Sequence, residues 1–173
     1  NSLNLSVPGH IIVNDKLETT VPGIYAVGDA VGKVLLAYVA AQEGIVAAEN
    51  ICGQPARMDY KIIPSCIYTT PEVASVGLTE KKAKDEGYEI QIGRFPLAAN
   101  GRAIIHGDAR GLVKTIADKK TGELLGMHII ALHATELIST AAMAIKLECL
   151  PEDFKRLLFG HPTLAETMLE SVH

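Results

Sequence analysis

The sequence predicts an α+β domain, an antiparallel sheet with helices on one face, preceded by a strand–helix piece of an α/β unit. Three observations lead there. The local grammar changes near residues 53–59, a stretch that holds Gly53, Pro55 and Asp59. Upstream of it, an apolar run ends in glycine and leads into an alanine-rich helical pattern. Downstream, strands come in a run and helices follow in a run, the order expected when helices cover one face of an antiparallel sheet.

The elements follow in chain order. Residues 10–14 read as a short strand, and residues 23–28 have the length and composition of a buried strand ending at Gly28. Residues 35–51 are helical in pattern and are closed by Gly53 and Pro55. Residues 67–69 and 72–77 are short strands. A charged helix over 79–87 has Thr79 as N-cap and Gly87 as its stop. Residues 89–95, 112–117 and 124–130 are three further strands, the last two joined by a hairpin turn at 118–122 with Gly122 near its end. Helices over 134–149, 151–158 and 163–172 complete the chain. On the first of these, Ile138, Ala142 and Ile145 form an apolar face suited to a core or to a two-fold interface.

Composition narrows the class. Of 173 residues, 48% are apolar and 21% charged, as in soluble globular proteins. A formal net charge of -4 gives no electrostatic footprint for nucleic acid. No apolar stretch reaches membrane-spanning length. The first residues lack the basic start and apolar run of a signal peptide, and the chain opens on Asn1 rather than Met, as a piece of a longer protein does. Cys52, Cys66 and Cys149 are dispersed, which fits reduced thiols and a cytoplasmic location. Gly28 to Lys33 lacks the glycine spacing of a phosphate loop, and His128 with His133 lacks the ligand cluster of a metal site.

Two stretches carry chemistry. A strand stopping at Gly28 lets the backbone turn sharply beside a ligand. Asp29 just after it can accept hydrogen bonds from sugar or ribitol hydroxyls, or cap the following helix. That helix offers its N-terminal N–H groups to an electron-rich group. In the tail, Gly160-His161-Pro162-Thr163-Leu164-Ala165-Glu166 sets an imidazole near a carboxylate, which fixes the tautomer and favours proton exchange near neutral pH. Thr163 and Glu166 also have the spacing of a capping box, so on residue chemistry alone Glu166 serves a helix as readily as a histidine.

The wording of these stretches is similar to that of the pyridine nucleotide-disulfide oxidoreductases. The run from Thr20 through Pro22, Ile24, Tyr25 and Ala26 to Gly28 and Asp29 resembles the one that closes their FAD-binding domain. The segment Leu36-Ala37-Tyr38-Val39-Ala40-Ala41-Gln42-Glu43-Gly44 resembles the one that presents backbone to the flavin, with Tyr38 where the lipoamide enzymes often carry histidine. The tail resembles the family's acid–base motif. Phe95 with Ala99-Asn100-Gly101-Arg102-Ala103 resembles a run of the dihydrolipoamide dehydrogenases, whereas Phe159 departs from their frequent second histidine.

The resemblance implies roles. His161 would take a proton from a dithiol substrate and Glu166 would orient it, each histidine working on the disulfide of the other subunit of a homodimer. Asp29 would hold the FAD ribitol, Leu36 and Ala37 would face the flavin, and backbone near Cys66 would approach the nicotinamide of NAD. The electron pair would pass from dihydrolipoamide to a cysteine pair, then to FAD and NAD. The partners implied are a lipoyl-carrying acyltransferase or a glycine-cleavage carrier protein. The cysteine pair and both G-x-G-x-x-G turns of such enzymes are absent from this chain. Residues 1–55 would be the end of the FAD-binding domain and residues 56–173 the interface domain, inactive alone. Glutathione- or metal-reducing relatives, or a non-catalytic dimerisation module, are the alternatives.

Overall fold

The structure, a computed structural model, describes residues 3–6 and 9–172. It contains two compact units, Asn1–Tyr60 and Lys61–His173.

The first unit is built on helix α1 (Ala37–Ile51). Val39, Glu43, Val46 and Ala47 are its buried residues and share one face at helical spacing. Leu17 is fully buried and packs with Val46 and Ala47. Asn50 closes the helix: its side-chain amide donates to the carbonyls of Val46 and Ala56 at 2.8 and 2.9 Å. The two strands expected at 10–14 and 23–28 are not formed. Their residues make only single bridges, Leu5 with Ile11, Val13 with Thr19 and Glu18 with Tyr25. A ladder needs a neighbour along its length, and each partner here turns away after one pair. Ile24 and Val27 of the apolar run are accordingly exposed. A 3₁₀ turn at Gly28–Ala30 ends that run and packs on α1.

The second unit is a five-stranded sheet. Its strands are β1 (Ser65–Ile67), β2 (Glu72–Gly77), β3 (Ile90–Pro96), β4 (Leu112–Asp118) and β5 (Leu124–Ala131). They lie in the order β1-β2-β5-β4-β3, every pair antiparallel. The register Ala74–Ile129–Val113–Phe95 and Val76–Met127–Thr115–Gly93 defines one face. Ala74, Val76, Val113, Met127 and Ile129 on it are at most 2% exposed, so this face is the core.

Helix α4 (Ala134–Lys146) covers β2 and β5, and α6 (Glu166–Ser171) covers β3 and β4. Between them in sequence runs α5 (Pro151–Arg156), whose Phe154 reaches the same core. Helix α4 buries Ala134, Ile138, Ala141 and Ala144. Ala142 and Ile145 pack partly buried beside them, so the apolar face takes the core destination. His133 precedes α4 in a left-handed conformation and supplies no side-chain cap. Glu72 does so from β2: its Oε2 accepts from the Thr135 N–H at 2.9 Å and the Thr135 hydroxyl at 2.8 Å. A carboxylate there also complements the helix dipole.

A further short helix, α2 (Glu80–Asp85), packs against β3. Thr79 caps it by accepting from the Lys82 N–H. Glu80 pairs with Lys114 and Arg94, neighbours across β4 and β3. At the β4–β5 hairpin, Asp118 accepts from Lys120 N–H and the Thr121 hydroxyl, and Gly122 takes a positive φ of 81°. Sequence periodicity does not announce α3 (Gly101–Ile105), a helix of five residues.

Candidate functional site

The loop that carries His161 is held at four points. Phe159 stacks on Phe154 of α5 with ring centroids 6.4 Å apart, which gives the departure at position 159 a packing role. The Thr163 hydroxyl donates to the Gly160 carbonyl at 2.7 Å. Leu164 is buried in the core. From the far side, the Asn100 amide donates to the Thr163 carbonyl at 3.1 Å. The His161–Pro162 bond is cis.

Within this frame His161 Nδ1 lies 2.8 Å from Glu166 Oε1. The other carboxylate oxygen, Oε2, accepts from the Thr163 N–H at 2.7 Å. Glu166 therefore serves both readings at once: one oxygen holds the imidazole and the other satisfies a backbone donor ahead of α6. The capping box is only half made, because the Thr163 hydroxyl turns to Gly160. The Thr163 N–H and the His161 ring hold the Glu166 carboxyl below its ordinary range. An ionised carboxylate only accepts, so Nδ1 carries the proton and Nε2 of the neutral ring keeps its lone pair. The His161 side chain is 80% exposed, against 22% for Glu166, so the imidazole is presented and the carboxylate is sheltered. Both line a pocket of about 300 Å³ with Phe95, Asn100 and Glu170.

Because the folded-state value of Glu166 is lowered, its contribution to stability is complete above the ordinary carboxylate range. That contribution is lost as pH falls through the lowered value. The stability difference between the parent chain and Glu166→Gln is thus expected to shrink between about pH 7 and about pH 3, read from melting curves.

Asn100 is a support that the motif reading treats only as part of a family run. It is 5% exposed, and both ends of its amide are used. Its Oδ1 caps α3 by accepting from the Ala103 N–H at 2.9 Å, while its NH₂ holds the histidine loop. An asparagine three residues before a helical N–H is a recognisable N-cap, and that was the available signal. Asn100→Ala is expected to cost about 1–2 kcal/mol and to raise hydrogen exchange at residues 160–166, which a melt with exchange readout checks.

The other predicted residues fall elsewhere. Asp29 is exposed within the 3₁₀ turn of the first unit. Leu36 is the N-cap of α1 in extended conformation, and Ala37 opens the helix exposed. An exposed carboxylate on a turn packed against a helix that starts with alanine suits a polyhydroxyl chain and a flat ring, so these residues fit the sugar alcohol and ring of a flavin. Cys66 lies on β1 in the second unit, in register with Ala74 on the helix-bearing face. Burial first, then the Glu72 and Glu136 carboxylates, push its thiol up, which favours the neutral form.

The family model described as "Pyridine nucleotide-disulphide oxidoreductase, dimerisation domain" matches residues 63–172. A second, "Pyridine nucleotide-disulphide oxidoreductase", matches residues 1–44. The chain is 48% identical to dihydrolipoyl dehydrogenase of Rhizobium etli over 95% of its own length and 34% of that protein. It is 43% identical to that of Bacillus subtilis over 94% of its length and 35% of the relative. The chain thus spans about a third of the curated relatives it matches. A HOCl-induced flavoprotein disulfide reductase from Escherichia coli superposes with a TM-score of 0.92 at 28% identity, covering 98% of this chain and 40% of that one. Across both units, then, the chain belongs to the pyridine nucleotide-disulphide oxidoreductase family and contains that family's dimerisation domain.

Proposed function

We propose that the chain is the C-terminal part of a dihydrolipoamide dehydrogenase, in which His161 is the acid–base residue and Glu166 orients it. The observation that carries this reading is the His161–Glu166 contact of 2.8 Å, with the imidazole facing open pocket. Relatives at 43–48% identity carrying the name dihydrolipoyl dehydrogenase support the substrate.

The reaction moves two electrons from a dihydrolipoyl dithiol to NAD and releases one proton. His161 Nε2 removes a proton from one substrate thiol, and the resulting thiolate attacks a disulfide carried elsewhere in the enzyme. Glu166 stabilises the imidazolium while it holds that proton, and keeps the ring in its tautomer. Asp29, Leu36 and Ala37 would hold part of FAD, which when bound would supply the two-electron carrier between that disulfide and NAD. The backbone near Cys66 would help hold the nicotinamide of NAD. Residues 1–55 close the FAD-binding domain and residues 56–173 form the interface domain of a homodimer, a reading supported by the name of the matching model. A lipoyl-carrying acyltransferase or glycine-cleavage carrier presents the dithiol. The dispersed cysteines favour a cytoplasmic location. Among the described residues no helix is long and apolar enough to cross a membrane.

An assay of the full-length protein with dihydrolipoamide and NAD, run beside glutathione disulfide with NADPH, tests the substrate. NADH production in the first and no turnover in the second is expected. The reverse outcome would move the protein to another branch of the family.

A further inference from the structure

Glu43 lies in the core of the first unit at 1% exposure, on the face of α1 that otherwise buries Val39, Val46 and Ala47. A buried carboxylate is expensive unless donors satisfy it, and an apolar residue would fill the place without that cost. Two donors meet it. The Gly28 N–H reaches Oε2 at 2.6 Å, and the Tyr60 hydroxyl reaches Oε1 at 2.6 Å. Burial and the adjoining carboxylate push the Tyr60 phenol up, so it remains a donor. Lys33 Nζ sits 4.6 Å from the centroid of the same ring.

The consequence falls on the next residue along the turn. Gly28 has a φ of 69°, and a Cβ there would stand 3.1 Å from the Ala40 Cβ. Gly28, the residue before Asp29, is therefore fixed on one side by helix packing and on the other, through its N–H, by Glu43. Tyr60, at the far end of the unit, shares the same carboxylate.

We propose that Glu43, held by Tyr60, is a positioning residue for Asp29: it sets the Gly28–Asp29 turn so that the Asp29 carboxylate meets the ribitol hydroxyls of a flavin. The proposal rests on the flavin-site reading of Asp29. The test uses the full-length flavoprotein, with FAD dissociation and the visible circular dichroism of bound flavin as readouts. Glu43→Ala and Tyr60→Phe are expected to weaken FAD binding by about tenfold and to alter the dichroism. Glu43→Gln should stay within about threefold of the parent, because its oxygen accepts from Gly28 while its NH₂ donates to Tyr60. Tyr60→Phe keeps the ring, so it reports even where Glu43→Ala yields no folded protein. Unchanged FAD affinity in these two variants, with affinity lost in Asp29→Ala, overturns the positioning role and leaves the flavin site standing. Unchanged affinity in Asp29→Ala overturns the flavin reading itself. A melting loss shared by all three Glu43 and Tyr60 variants, with the dichroism of retained flavin unaltered, marks a merely structural carboxylate and also overturns the proposal.

Discussion

Replacing His161 with alanine in the full-length protein should lower dithiol turnover by about 10²–10⁴-fold while FAD stays bound. The range is the usual contribution of a positioned general base. The fold should be indifferent to the change. The ring is 80% exposed, and its hydrogen-bond partner Glu166 retains the Thr163 N–H. Exposed substitutions away from packed features cost within about 0.5 kcal/mol. A melting curve matching the parent, together with lost turnover, therefore separates chemistry from stability. Near-normal turnover would remove His161 from the acid–base role.

The second large effect is expected at Gly93, and it acts through packing. Gly93 lies in β3, where the Ser171 carbonyl and the Thr115 hydroxyl occupy the space a side chain would need. The Thr115 hydroxyl donates to that Ser171 carbonyl at 2.6 Å, so the end of α6 rests directly on the sheet. The obstruction is backbone and cannot rotate away. Gly93→Val should cost about 3 kcal/mol, through forced separation of α6 from β3 and loss of the buried hydrogen bond. Because α6 begins at Glu166, the same variant should disorder the histidine pair. Chemical denaturation of the chain gives the stability. A loss below about 0.5 kcal/mol would mean that the helix does not depend on this close approach.

The interface-type sheet was legible because its strands are short apolar runs bounded by turn residues, and β2 is found at the residues expected of it, Glu72–Gly77. Thr79, Gly87 and Gly122 announced two caps and a hairpin for the same local reason. The strands at 10–14 and 23–28 were misread because composition reports what a segment would pair with, and among the described residues only single bridges answer. Helix α3 escaped because five residues show no period; only its Asn100 cap marks it. At the site, His161 and Glu166 stand five positions apart, and the pair was readable through the motif. The double use of the carboxylate, as cap and as histidine partner, was readable too; the turn of the Thr163 hydroxyl to Gly160 was not, since such a threonine looks identical in sequence to one that caps a helix. The Gly28–Glu43–Tyr60 contact joins residues 15 and 17 apart in sequence, beyond any local pattern.

The central claim is that His161 serves the thiol half of the reaction. Single-turnover reduction of the flavin in full-length His161→Gln, with dihydrolipoamide in one syringe experiment and NADH in another, addresses it directly. The account predicts that reduction by the dithiol slows by about 10²-fold or more while reduction by NADH keeps the parent rate. Equal slowing of both, or parent rates in both, would contradict it.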